Sequence, residues 1–399
     1  MSKLSKPHRF VDIFNLAVVV AALGYFVDIY DLVLFSMIRV SSLKSLGLSG
    51  EELIDKGVLL LNMQMAGMLV GGIFWGILGD KRGRLAVLFG SILLYSTANI
   101  ANAFVHGIPA YAAWRFIAGV GLAGELGAGI TLVSESLSKE LRGYATAIVA
   151  AVGVSGAVVG GLLATEFSWR TSFIIGGILG FLLLILRVRV YESGLFNRLK
   201  SSTHKRGNFL SLLLQKDKLT RYLKCIAIGL PTWFMVGIMM TFSPEIGLAL
   251  GIKEPVLASR SVMLFYLGLV VGDFGSGFLS QWMRSRKQVI LMSLITCSIF
   301  IAAGLCVHNG TANAFYGLCI AMGIGSGYWA IFATVAAEQF GTNLRATAAT
   351  TVPNFVRGAV IPTTLLFQKL RPQFGILCAA GTLGVVTMVL AFTALFFLE

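Results

Sequence analysis

The chain has 399 residues, 56% of them hydrophobic and only 13% charged, against roughly 25% charged in globular proteins. Its net charge of +14 is spread over short, separated basic groups, which argues against a nucleic-acid footprint, where basic residues share one face. Apolar runs close to the roughly 20 residues that cross a bilayer recur along the chain. They are continuous rather than alternating, which favours a helical membrane protein over a membrane barrel.

Twelve spans are predicted, at 14–38, 58–78, 85–105, 110–136, 143–165, 171–191, 223–247, 260–283, 288–307, 312–337, 346–368 and 374–397. The leader "MSKLSKPHRF" is short and basic, without the pattern of a cleavable signal peptide. With the N-terminus inside, most Lys and Arg fall in inner connections, among them Lys81, Arg82, Arg84, Lys139, Arg142, Arg286 and Arg345. The outer connections hold fewer: Arg39, Lys44, Lys56, Arg170, Lys253, Arg260, Lys369 and Arg371. This bias predicts both termini in the cytoplasm.

Span 1 contains "GYFVDIYDLVLFSMI", which sets Asp28 and Asp31 one helical turn apart in an otherwise apolar run. Span 4 carries Arg115 and Glu125, span 8 Asp273, and span 11 Arg357. Each such group costs about 2.5–3.5 kcal/mol on insertion scales, so it usually faces a cavity and has a task. Asp28 comes about 21 Å into span 1 at 1.5 Å per residue, and Glu125 falls at a similar depth in span 4. Two carboxylates close together in low dielectric resist double ionisation, the condition for holding a proton at neutral pH.

Two readings stand for this group. Asp28 and Glu125 carry a coupling proton, with Asp31 and Arg115 tuning them, or Asp28 or Asp31 pairs permanently with Arg115. For Asp273 and Arg357 the alternatives are a structural ion pair, or an Arg357 that meets an anionic solute through its two parallel donors. Asn354 stands one turn before Arg357 in "PNFVRG" and adds a donor. Tyr30, Gln64, Trp233 and Trp329 are further candidates for lining a binding cavity, with plain packing as the alternative for each.

The longest polar stretch, from Tyr191 to Lys224, divides six spans from six. The predicted units are a bundle at 1–191, a linker loop at 192–222 and a bundle at 223–399. The halves echo each other: "ESLSKELRG" closes span 4 and "EQFGTNLRA" closes span 10, with Glu135/Glu338 and Arg142/Arg345 at one common offset. Two such halves are a transporter architecture with a site at the midplane between them. The 46 glycines cluster in runs such as "GVGLAGELGAG", at spacings that let helix backbones approach closely.

"GILGDKRGR" at Gly76–Arg84, "RFIAGVG" at Arg115–Gly121 and "ESLSKELRG" at Glu135–Gly143 together resemble the signatures of the major facilitator superfamily, over the whole chain. Paired acids in helix 1, an acidic helix 4 and Trp169-Arg170 with Phe173 are similar to the metabolite–proton and aromatic acid–proton symporter families. Arg357 matches an arginine of the animal organic ion transporters, whose large outer loop is missing here. The resemblance implies the major facilitator fold, all-α with twelve transmembrane helices in two pseudo-symmetric halves. Helices 1, 4, 7 and 10 would line the cavity. It further implies a monomer working with a small-molecule substrate and protons in a lipid bilayer, expected to be a bacterial inner membrane. Asp80 can face the positive N-terminal end of a helix in the other half, so Asp80 and Arg84 read as gating residues, with Glu135, Arg142, Glu338 and Arg345 beside them.

Ile29 stands where those symporters usually have glycine, and "GVSGAVVGG" lacks the proline of the antiporter motif. No G-x-x-x-x-G-K-[ST] occurs, so ATP-driven pumping has no support. The five cysteines read as small packing residues, and the four histidines have no ligand spacing, so no cofactor or metal is expected. The leading expectation is proton symport of a small organic anion by alternating access, rather than enzyme action. Proton-antiport efflux or uniport is the alternative, and a membrane sensor or intramembrane enzyme is the alternative of another class.

Overall fold

A computed structural model describes residues 16–82, 84–124, 139–192, 215–340 and 342–398. Among these residues every regular element is helical: α1 Leu16–Ser45, α2 Gly50–Arg82, α3 Arg84–Ala103, α4 Ile108–Leu122, α5 Lys139–Glu166 and α6 Trp169–Glu192 form the first half. The second half holds α7 Lys216–Phe234, a π-helical turn Met235–Met240, α8 Ser243–Ala249, α9 Ala258–Met283 and α10 Arg286–Cys306. It continues with α11 Ala312–Ser326, α12 Trp329–Glu338, α13 Thr342–Gly358, α14 Val360–Phe374 and α15 Ile376–Phe396. Among the described residues, 9 helices are long and apolar enough to cross a membrane. Three predicted spans fall outside that count: α3 is described in full only over Val87–Ala103, α4 runs up to residues outside the described ones, and α13 and α14 divide the eleventh span between them.

The two halves use the same pairings. α1 packs on α5, α2 on α4 and α3 on α6; correspondingly α7 packs on α13, α9 on α11 and α10 on α15. Glycines set the tightest of these seams. A Cβ at Gly67 or Gly119 would overlap a carbonyl oxygen across the α2–α4 seam, Phe116 or Gln64. The same holds for Gly268 and Gly323 across the α9–α11 seam, against Ile320 and Phe265. In lipid, where apolar burial gives helices no drive to associate, such close packing is what holds them.

The repeat extends to the irregularities. α4 stops at Leu122 and residues 123–124 turn; α11 stops at Ser326 and Gly327–Tyr328 turn before α12. Gly327 sits against the backbone of Gly272 and Asp273 so closely that no side chain fits there. The freed carbonyls find donors, as they must inside a membrane: Trp75 Nε1 donates to Val120 O at 2.6 Å, and Ser276 Oγ to Gly327 O. In α7, Pro231 removes a donor, and the π turn follows, with Thr241 N closing onto Val236 O at 3.2 Å. At the far end of the chain Lys224 and Lys287 donate to the last carbonyls after α15, at 2.7 Å to Phe397 O and 2.6 Å to Leu398 O.

Candidate functional site

Arg115 lies fully buried inside the first half. Its Nη2 donates to Gln64 Oε1, while Gln64 Nε2 donates to Leu32 O at 3.0 Å, so one amide ties α4 to α2 and α1. The guanidinium stands over the rings of Phe35 and Phe173, at 5.2 and 5.6 Å. Tyr111 stacks on Trp169 and meets Phe173 edge-on, completing an aromatic wall. The Trp169, Arg170 and Phe173 pattern therefore has a local explanation. Its aromatics wall the Arg115 cage, and Arg170 donates to Ala103 O at the end of α3.

Asp31 faces this cage, within electrostatic reach of Arg115 and beside Asn99 of α3. Gly176 of α6 leaves it room. Tyr30 also turns inward, its hydroxyl donating to Ser172 O at 2.8 Å. Tyr30, Asp31, Gln64 and Arg115 are thus brought together as internal groups of the first half.

A second cluster spans both halves. Arg357 of α13 stands over the Trp233 ring of α7 at 5.5 Å. It is 1% exposed and, among the described residues, makes no salt bridge; its Nε has no hydrogen-bond partner. Its Nη1 reaches Asn354 Oδ1 only at 3.4 Å. Asn354 Nδ2 in turn points across the molecule at Ala123 O, also at 3.4 Å, in the turn that ends α4. Tyr25 of α1 and Tyr266 of α9 both lie within electrostatic reach of Arg357 and of Asp28. Asp28 is fully buried and lies within reach of Asp31 as well, so it stands where the internal cage and the inter-half cluster meet.

Tyr25 and Tyr266 were not singled out from sequence. Tyr25 had a readable signal, since it precedes Asp28 by three residues and shares its helix face. Tyr266 had none, because only the fold brings α9 to α1.

Asp273 is not paired with Arg357. Its Oδ1 accepts from Ala330 N at 3.1 Å, and it also meets the backbone of Trp329, so a carboxylate from α9 caps the start of α12. A negative group at a helix N-terminus satisfies orphan donors and opposes the helix dipole. Trp329 rests on Phe332, with ring centroids 5.1 Å apart. Asp273→Ala is expected to cost about 1 kcal/mol, the usual value of an N-cap, and Asp273→Asn clearly less; thermal melting in detergent would compare them.

Glu125 and Glu135 lie outside the described residues, as do the side chains of Asp80, Arg84, Arg142 and Arg345. Glu338 is described: it ends α12 and pairs with Arg286 at the start of α10, a contact within the second half.

Residues 21–360 match the Major Facilitator Superfamily. The chain belongs to that superfamily and is a multi-pass integral membrane transporter of small metabolites, not an enzyme. It is 26% identical over 391 residues to a putative niacin/nicotinamide transporter of Bacillus subtilis, which covers 93% of this chain and 94% of that protein. It is also 26% identical over 373 residues to a gentisate transporter of Corynebacterium glutamicum, over 90% of this chain and 80% of that protein. A crystal structure of a D-xylose-proton symporter superposes with a TM-score of 0.70 at 15% identity, over 94% of this chain and 97% of that one.

Proposed function

We propose that the protein carries a small organic anion, with an aromatic or similarly flat body, across a bacterial plasma membrane by alternating access in symport with a proton. The observation that carries this reading is Arg357: a buried guanidinium on a tryptophan face, with donors that no salt bridge takes up among the described residues. A carboxylate would take two parallel donors there, and its ring would lie against Trp233, Tyr25 and Tyr266. The named cargo of the gentisate transporter, a relative of this chain, supports that chemistry. Asp28 is the group best placed to couple a proton to the anion, since it shares Tyr25 and Tyr266 with Arg357. Both termini lie in the cytoplasm on this reading, following the basic-residue bias.

The test is proton movement in proteoliposomes carrying an internal pH dye, against a panel of aromatic acids, aliphatic acids, sugars and cationic drugs. One acid is expected to acidify the lumen, and Asp28→Asn to abolish acidification while leaving exchange of labelled solute. A neutral or cationic cargo would refute the anion reading. Solute-driven acidification that survives Asp28→Asn would refute the proton role.

A further inference from the structure

The two halves meet in a band of polar contacts at the face carrying residues 46–49 and 250–257. Arg39, near the end of α1, is 0% exposed, and its Nη2 donates to both carboxylate oxygens of Glu245 in α8, at 2.6 and 2.7 Å. The same nitrogen reaches Thr241 O at 3.2 Å, and the guanidinium covers the Phe242 ring at 4.4 Å. Gly57 of α2 makes room for this side chain, since a Cβ there would lie 2.8 Å from Arg39 Cδ. On the other flank Arg371, at the end of α14, donates to Glu51 Oε2 at 2.5 Å and Asp55 Oδ1 at 3.1 Å, both at the start of α2. Gln368 also reaches Asp55. Between the arginines, Thr241 Oγ1 donates to Ser36 Oγ at 2.9 Å and Thr364 Oγ1 to Asn62 Oδ1 at 2.7 Å.

Every one of these bonds joins the first half to the second. We propose that they form a two-arm clasp, Arg39–Glu245 and Arg371–Glu51/Asp55, which holds this mouth of the transport path shut and must release in both arms for it to open.

The arms differ in their surroundings. Glu245 is 17% exposed, whereas Glu51 and Asp55 are 75% and 51% exposed. Exposed pairs are screened by salt and buried pairs much less so. The Arg39 arm therefore holds at any ionic strength, and the Arg371 arm is the one that salt loosens. The clasp serves transport only if the alternating-access reading holds, but its own state can be read without any solute.

The experiment labels a cysteine at position 36 in purified protein in lipid nanodiscs, where both faces meet the reagent. Ser36→Cys is introduced with Cys306→Ser and Cys378→Ser, which remove the exposed thiols. With the clasp intact, maleimide labelling is expected to be slow and insensitive to salt. Glu245→Gln is expected to raise the rate several-fold and make it rise further between 50 mM and 500 mM NaCl. Adding Glu51→Gln and Asp55→Asn should bring the total to at least tenfold and abolish the salt response. Unchanged labelling in that combined variant overturns the clasp, and equal salt dependence with and without Glu245→Gln overturns the division into two arms. Should Glu245→Gln unfold, reported by labelling of buried Cys297, Glu245→Asp replaces it, since it keeps the charge but shortens the reach to Arg39: combined with Glu51→Gln and Asp55→Asn, a raised labelling rate supports the clasp and an unchanged rate refutes it. Solute uptake fails if the Arg357 reading is wrong, whereas this labelling does not depend on it.

Discussion

Arg357→Lys is expected to weaken the apparent affinity for an anionic solute about tenfold or more, because a hydrogen bond to a charged group is worth about 1.5–3 kcal/mol and each 1.4 kcal/mol is tenfold. Lysine keeps the charge but loses the planar pair of donors and the flat face that rests on Trp233. Arg357→Ala removes the charge as well and is expected to leave no measurable uptake at micromolar solute. The measurement is initial-rate uptake of labelled solute into proteoliposomes at matched protein density. A solute whose affinity is unchanged in Arg357→Lys does not meet this guanidinium, and the site would then lie elsewhere. Trp233→Ala separates the two contributions, since it removes the stacking face and leaves the donors in place.

The second large effect concerns folding. Gly119→Leu and Gly323→Leu place a side chain where a carbonyl oxygen of the neighbouring helix already sits. Overpacking costs roughly 1–3 kcal/mol even where side chains can give way, and here the obstacle is backbone, so a cost of about 3 kcal/mol or more is expected. Both variants should show a sharply lowered melting temperature or fail to purify as one species by size exclusion. Gly317→Ala is the control. Nothing lies within 4 Å of a Cβ there, so it should match the parent or exceed it slightly, as helix alanine does over glycine. Equal behaviour of Gly317→Ala and Gly323→Leu would show that the seams are looser than described.

The fold was legible because its main determinants are local or periodic. Apolar runs of bilayer length give the spans, and the matched Glu135/Glu338 and Arg142/Arg345 give the duplication. α4 and α11 stop at nearly matching places in the two halves, which the sequence hints at only through glycine runs. The polar groups were legible as a set, because a charge in an apolar run is conspicuous whatever its neighbours.

Their partners were not legible. Tyr30 and Gln64 have the composition of cavity-lining residues, yet their bonds run to Ser172 O and Leu32 O inside one bundle. Which side of a buried helix faces a path depends on packing, and an all-round apolar helix gives no face by periodicity. Asp273 and Arg357 looked like a pair because both are buried and opposite in sign; the interrupted α12 supplies backbone donors nearer to the acid. Arg39 and Arg371 were expected in outer connections as orientation charges, and instead both sit inside helices and bridge the halves. Glu245 carried no signal that would match it to a residue 206 positions earlier.

The interruptions have a consequence for what the protein withholds. α11 gives way to α12 at a turn within one span, α13 and α14 divide another, and α7 loosens into a π turn. Unbroken helices would turn each half into a stiff plank, and opening at one surface would force closing at the other in the same stroke. Broken ones let the two ends of a plank move in succession, so an airlock with both doors shut becomes an accessible arrangement. In such a carrier no single bending motion opens a through-passage from one face to the other.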